Sequence, residues 1–281
     1  MEGSVLRVGD RVRITAQLIQ APADKHLWAS SYERDLRDVL TLQGEVARAI
    51  AGEIGVRLTP QERSRLADKK TVNPEAYEAY LKGRYHSFRG TAPDAQKSLD
   101  YFQQSVVKQP DYAVGYAGIA NAYEQMAGSA YGVLSPKEAF PKAKAAAMRA
   151  VELDPTLAEP YESLGWSSYI FDRDWKTAES QFQRALRLNP NYSGAHQSYA
   201  TFLSRMGRFD EAIREVKRAQ ELDPLSLVGN VDVGLVLHFA RRDDEAIPWF
   251  RRVLDMDPNF LRAHWGLGLA LGEKRRYDEA I

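Results

Sequence analysis

Leu188-Asn189-Pro190 and Leu222-Asp223-Pro224 are nearly one phrase written twice, and their reading decides the fold. Leu153-Asp154-Pro155 comes before them and Met256-Asp257-Pro258 after, so the prolines stand 35, 34 and 34 residues apart. An interval this regular marks a solenoid, in which each unit buries its apolar face against its neighbours. The interior of each unit repeats as well. Ten residues after each proline stands a small residue: Gly165, Ala200, Gly234 and Gly268. Twelve before each later proline stands an alanine: Ala178, Ala212 and Ala246. Four residues further come Phe182, Val216 and Phe250, and three beyond those Ala185, Ala219 and Val253. Small residues at fixed helical positions let two helices approach, and the bulky ones fill the gap between them. The proline stops the second helix and begins a turn.

Composition limits what such a chain does. Its 38 basic and 38 acidic residues give no support to a broad nucleic-acid surface. Cysteine is absent, which excludes disulfides, thiolate metal ligands and a cysteine nucleophile. No apolar run approaches the roughly 20 residues that span a bilayer. The start, Met1-Glu2-Gly3-Ser4, does not read as a signal peptide. There is no glycine-rich phosphate loop, no His-Glu-x-x-His and no Gly-x-Ser-x-Gly. Of the histidines His26, His86, His196, His238 and His264, the third and fifth share a repeat position two repeats apart, too far for one metal. The acids Asp243-Asp244-Glu245 fall where an inter-helix turn is expected. A non-enzyme is expected, with no cofactor and no metal. The expected partner is a protein or peptide, with no nucleic acid bound and no membrane spanned by this fragment. The expected compartment is the cytoplasm, or the periplasm if a membrane span lies upstream.

The phrase Met206-Gly207-Arg208-Phe209-Asp210-Glu211-Ala212-Ile213, echoed by Arg276-Tyr277-Asp278-Glu279-Ala280-Ile281, resembles the inter-helix turn of the tetratricopeptide repeat family. The resemblance implies a mainly α fold: a right-handed superhelical α-solenoid of helix-turn-helix repeats. By the proline register these are 74–110, 111–155, 156–190, 191–224, 225–258 and a partial 259–281. In the first, Tyr77, Tyr80, Leu81 and Tyr85 mark one helix and Ala95, Leu99, Phe102 and Val106 the next, across a long turn, Arg89-Gly90-Thr91-Ala92-Pro93. The second carries about eleven extra residues around Gly128-Ser129-Ala130-Tyr131-Gly132-Val133-Leu134-Ser135-Pro136, in a loop between its helices.

Residues 1–58 read differently. Arg11 to Gln20 alternates polar and apolar as a half-buried strand does, with Val12, Ile14, Ala16 and Leu18 on one face. Gly9-Asp10 turns it from a short strand, Val5 to Val8, and Ala21-Pro22-Ala23-Asp24-Lys25 turns it to a third, His26 to Glu33. A helix follows, capped by Asp38 or Thr41, with Leu42, Val46, Ile50 and Ile54 on one face. An antiparallel meander covered by one helix is a small α+β layer. The string Gly9-Asp10-Arg11-Val12-Arg13-Ile14-Thr15-Ala16-Gln17-Leu18-Ile19, followed by Leu27-Trp28-Ala29 and Arg34-Asp35-Leu36, is similar to the second half of the TolB-like amino-terminal domain. That resemblance implies the carboxyl-terminal sensory region of a larger bacterial transcriptional regulator, adenylate cyclase or protein kinase. Residues 59–73 form a charged helical linker, with Pro60 in the first turn of a helix.

The tetratricopeptide resemblance further implies that the first helix of each repeat lines a concave groove. In register, the lining residues are Asn121, Glu124, Glu162, Trp166, Tyr169, Gln197, Arg205, Val231, Leu235, His238, Phe239, Arg262, Trp265 and Leu269. The groove would grade from polar and acidic to aromatic and apolar. Trp166, Phe239 and Trp265 leave two readings open, contact with a partner or packing on the next repeat. No lysine stands at the groove positions that hold a carboxylate tail in some relatives, so a two-carboxylate clamp is not expected.

Overall fold

The computed structural model describes residues 2–8, 11–20, 25–35, 39–53, 72–89, 91–127 and 133–280. The expected turns at 9–10 and 21–24, the cap at Asp38, Ile54, nearly all of the 59–73 linker and the 128–132 loop lie outside these residues. The chain forms two compact units, Met1–Leu81 with Gln104–Tyr112 and Lys82–Gln103 with Ala113–Ile281.

The first unit contains three antiparallel strands in the order β1 (Glu2–Val8), β2 (Arg11–Gln20) and β3 (Lys25–Asp35). Val12 is buried and Ile14 half-buried on the alternating face of β2. The register pairs Val5 with Ile14 and Ile14 with Tyr32, and breaks at Leu18/Ile19. Arg13 and Glu33, directly opposite across β2 and β3, form a 2.8 Å ion pair. Helix α1 (Val39–Glu53) is tied to β3 by Arg34 and Glu45 at 3.1 Å. Thr41 lies inside α1, so it is not the cap.

Helices α2 (Pro74–Arg89) and α3 (Ala92–Lys108) each contribute to both units. Asn73 caps α2, its Oδ1 accepting from the Glu75 amide at 2.8 Å. Ala92-Pro93 opens α3 rather than extending the turn, and Pro is tolerated there because the first amides have no helical partner.

The second unit continues as helix pairs: α4 (Ala113–Ala127) with α5 (Pro136–Leu153), α6 (Glu159–Ser167) with α7 (Trp175–Leu188), α8 (Ser193–Arg205) with α9 (Phe209–Leu222), and α10 (Leu227–Phe239) with α11 (Asp243–Met256). Helix α12 (Leu261–Glu273) and the turn of α13 (Tyr277–Ala280) close the described chain. The first helices pack on one another in succession, α4 on α6, α6 on α8, α8 on α10 and α10 on α12, while each second helix packs between its flanking first helices. One continuous face is therefore built from first helices. Asp243, Asp244 and Glu245 form the first turn of α11, where the macrodipole favours acids, and are not a turn between helices.

The proline register has a second, structural register inside it. Six residues after each proline, a side chain donates back to that proline's carbonyl: Tyr161 to Pro155 at 3.2 Å, His196 to Pro190 at 3.0 Å, Asn230 to Pro224 at 3.1 Å and His264 to Pro258 at 2.8 Å. His196 and His264 thus hold helix starts. Four left-handed residues, Arg173, Gly207, Arg241 and Arg275, also recur every 34 residues and reverse the chain between paired helices. The odd 35-residue interval has its physical answer here. The surplus residue in the third repeat is taken up by a π turn, Ser168–Asp172, closed by the Asp174 amide on the Ser168 carbonyl at 2.9 Å.

Left-handed backbone costs a residue with a Cβ about 1–2 kcal/mol. Arg241, whose side chain is 77% exposed and pairs with Glu273 only at 3.3 Å, gains little in return. Arg241→Gly is expected to leave stability unchanged or raise it by up to about 1 kcal/mol, read as a higher urea midpoint with the same slope.

The core of this unit runs from Ala178 to Leu271. Phe102, Phe182 and Phe250 are 1%, 0% and 0% exposed and sit where helices come closest. Phe102 has Gly83 on one side and Gly118 on the other, Phe182 has Gly165, and Phe250 has Gly234 and Gly266. At Gly83, Gly118, Gly165 and Gly234 a Cβ would lie 2.6 Å from the ring, and at Gly266 closer still. The sequence expectation placed Gly268 in such a contact. It has open space instead, with no atom within 4 Å of where a Cβ would stand.

Candidate functional site

The face built by α4, α6, α8, α10 and α12 carries the expected lining residues, and the structure sorts them into three groups. Val231 is fully buried and Leu235 is 8% exposed. Both belong to the core, because α10 is buried from Gly229 to His238 and packs against α8, α9, α11 and α12. His238 is likewise buried, with its Nδ1 2.5 Å from Asp243 Oδ1 at the start of the next helix. These three are corrected from groove to interior, since a partner has no access to them.

Trp166 and Tyr169 are half-buried and wedge into the core. Trp166 meets the Phe182 ring edge-on at 5.9 Å, and Tyr169 meets Phe202 at 5.5 Å. Arg205 is exposed and lies over the Tyr169 ring at 5.9 Å. Phe239 and Trp265 are 48% and 55% exposed, and Leu269 is half-buried, lining a shallow depression with Gly272 and Tyr277. The apolar end of the face is therefore narrower than the sequence suggested.

The remaining residues form polar ladders from repeat to repeat. Asn121 Oδ1 accepts from Ser87 Oγ at 3.2 Å and from Gln125 Nε2 at 2.8 Å. Gln197 and Arg262 meet on one carboxylate: Gln197 Nε2 donates to Asp232 Oδ2, and Arg262 Nη2 lies 2.7 Å from Asp232 Oδ1. Glu162, only 8% exposed, accepts from Ser198 Oγ at 2.6 Å and from Tyr192 Oη at 2.5 Å. Trp166 Nε1 donates to that same Ser198 Oγ at 2.9 Å. Ser87, Tyr192, Ser198 and Asp232 were missed as site residues. Only Asp232 gave a signal, as the lone charge in the apolar run Val231-Asp232-Val233.

The acidic end is electrostatically unusual. Burial pushes the Glu124 carboxyl well above its ordinary value; the neighbouring Glu162 adds to this and a hydrogen bond from Ser163 opposes it. Burial also raises Glu162, against the bonds from Ser198 and Tyr192, with Glu159 contributing in the upward direction. Both folded values lie above the unfolded one. Their contribution to stability is therefore complete below about 4.5 and is lost as pH rises through the raised values. Glu124→Gln is expected to raise stability by about 1–3 kcal/mol at pH 8 and to flatten the decline above pH 5, measured by urea melts across pH. Asp94 behaves oppositely. The Thr91 hydroxyl and then His86 lower it to about 2, so its contribution is present above 3.8 and lost as pH falls through 2.

Among the described residues no group of His, Asp and Glu could hold a metal ion, and no helix is long and apolar enough to cross a membrane.

Comparison with known proteins agrees with this architecture. Residues 172–230 and 239–281 match models of the tetratricopeptide repeat family. A thermophilic tetratricopeptide protein of Thermus thermophilus shares the fold, with a TM-score of 0.57 and 17% identity, over 70% of this chain and 98% of that one. The chain is thus a tetratricopeptide-repeat α-solenoid with a small α+β layer before it. In sequence, 120 residues are 32% identical to "Putative adenylate cyclase 3" of Rhizobium meliloti strain 1021, covering 43% of this chain and 20% of that protein. Another 27% identity extends over 145 residues of the transcriptional regulator HilA of Salmonella typhimurium, 52% of this chain and 26% of HilA. The chain spans a quarter or so, at most, of the length of these curated relatives.

Proposed function

We propose that this chain is a non-catalytic interaction module that captures a peptide or protein along the face of its first helices. The observation that carries the reading is the exposure of Phe239 and Trp265 on the first helices, whose lining also includes the exposed Arg205. Large side chains of these types in water are what a partner most profitably covers. Polar ladders between the repeats fix the register of the face, so a ligand meets a rigid surface. Trp265→Ala with Phe239→Ala is expected to weaken a peptide selected on the full chain at least tenfold, with an unchanged helical dichroism signal. Collapse of the helical signal would make both residues core and end the reading.

A second reading is favoured by the relatives' names. One is named for a cyclase and one for transcriptional regulation, and each matches about half of this chain or less. We infer that the module serves as the regulatory carboxyl-terminal region of a longer bacterial signalling protein, with the resemblance of residues 1–58 to a TolB-like domain pointing the same way. The test is to express this chain with and without the sequence upstream of its codons and to assay cyclase activity and promoter binding of both.

A further inference from the structure

This inference deepens the partner-capture reading above and rests on it. We propose that the captured ligand is an extended peptide carrying an aspartate or glutamate two or three residues from a large apolar residue. Arg262 takes the carboxylate, and Trp265 and Leu269 cover the apolar side chain.

Three observations converge on α12. The first is a cation that is aimed but incompletely used. Arg262 Nη2 donates to Asp232 Oδ1 at 2.7 Å, and the other oxygen of Asp232 accepts from Gln197 Nε2. Asp232 is 7% exposed and both of its oxygens are taken, so it steers the guanidinium without itself meeting a ligand. The Arg262 side chain remains 43% exposed, and its other N–H groups have no partner among the described residues. A guanidinium offers its donors in a planar fork that matches a carboxylate.

The second is charge. Of the five helices that build the face, α4, α6 and α10 carry no lysine or arginine, and the arginines are Arg205 on α8 and Arg262 on α12. The acids of α10 and α12 are already engaged, Asp232 as above and Glu273 by Arg241 at 3.3 Å. A carboxylate on the ligand is therefore the complement this end of the face lacks. Because Asp232 offsets its formal charge, Arg262 selects through directed hydrogen bonds more than through a long-range field.

The third is spacing. Trp265 stands one turn beyond Arg262 and Leu269 one turn beyond that, on the same face of α12, and Leu261 at its start is 81% exposed. A helix rises about 1.5 Å per residue, which sets Trp265 and Leu269 roughly 4.5 and 10.5 Å along the axis from Arg262. An extended peptide advances about 3.3 Å per residue, so a side chain two or three residues from the acid falls between those marks.

The test selects peptides with acetylated and amidated ends from a random library on the full chain and measures them by titration calorimetry. The tightest peptide is expected to contain an acid at that spacing. Changing the acid to its amide is expected to weaken binding at least tenfold. The same change is expected to cost less than twofold on the chain carrying Arg262→Gln with Asp232→Asn. That neutral pair leaves no buried charge behind, and its helical dichroism signal is expected to be unchanged. Arg262→Lys, which keeps the charge and loses the fork, is expected to cut the preference at least threefold. If the neutral pair fails to fold, Arg262→Lys alone decides. Tight peptides without an acid, or an acid preference unchanged in the folded variants, overturn the Arg262 site and leave partner capture standing. If no peptide binds, the capture reading fails and this inference with it.

Discussion

Phe250→Ala is expected to destabilise the solenoid by about 3–5 kcal/mol, the range for a large aromatic removed from a core that cannot collapse around the void. Phe250 is fully buried, and its ring fills the space between α10 and α12 left by Gly234 and Gly266. The surrounding helices are held by backbone and by the proline-carbonyl bonds of Asn230 and His264, so they have little freedom to close the gap. Stability in a repeat array is a sum of unit and interface terms. The loss should therefore concentrate in α10 to α12. Hydrogen exchange is expected to accelerate there first, with α4 and α5 almost unchanged, and uniform acceleration along the chain would contradict a local socket.

Gly266→Ala is expected to be destabilising by about 1–3 kcal/mol, the opposite sign to the rule for helices. In an open helix interior, alanine replaces glycine with a gain of about 1 kcal/mol. At Gly266 the new methyl would meet the Phe250 ring far inside the roughly 3.5–4.0 Å at which carbon atoms attract. Helix α12 supplies its own control. Gly268 and Gly272 have open space where a Cβ would go, and alanine at either is expected to stabilise. The register already shows a compensated socket one repeat earlier, where Ala200, Val216 and Asp232 stand in place of Gly234, Phe250 and Gly266. Combining Gly266→Ala with Phe250→Val should accordingly cost less than the sum of the two changes. Urea melts of the five variants, Phe250→Val alone included, decide it. Equal gains at 266 and 268 would show that the close approach does not exist in solution.

The sequence carried the repeats because their chemistry is local. The proline that closes each repeat stands just past its second helix, and a glycine paired with a phenylalanine one helix later encodes a contact. The extra residue of the π turn stood in the sequence as the one interval of 35, but the spacing did not say what would absorb it. What the sequence hid was the facing of particular side chains. A register assigns Val231, Leu235 and His238 to the first-helix face by position alone. In α10, however, every residue from Gly229 to His238 is buried, because neighbouring helices take up the surface of that stretch. The left-handed arginines were hidden for a different reason. Glycine advertises a positive φ at 207, whereas arginine at 173, 241 and 275 does not. The polar ladders were illegible because serine is common on surfaces, and only the fold brings Ser198 onto Glu162 or Asp232 between Gln197 and Arg262.

The claim that partners dock on the first-helix face is tested most directly by hydroxyl-radical footprinting of the full chain with the tightest peptide from a random library. Four exposed aromatic residues report on it: Phe239 and Trp265 on that face, and Phe171 and Trp175 at the turn between α6 and α7, 42% and 57% exposed. The account predicts that the peptide slows oxidation of Phe239 and Trp265 and leaves Phe171 and Trp175 unchanged. Protection of Phe171 and Trp175 with Phe239 and Trp265 still oxidised at the free rate would contradict it.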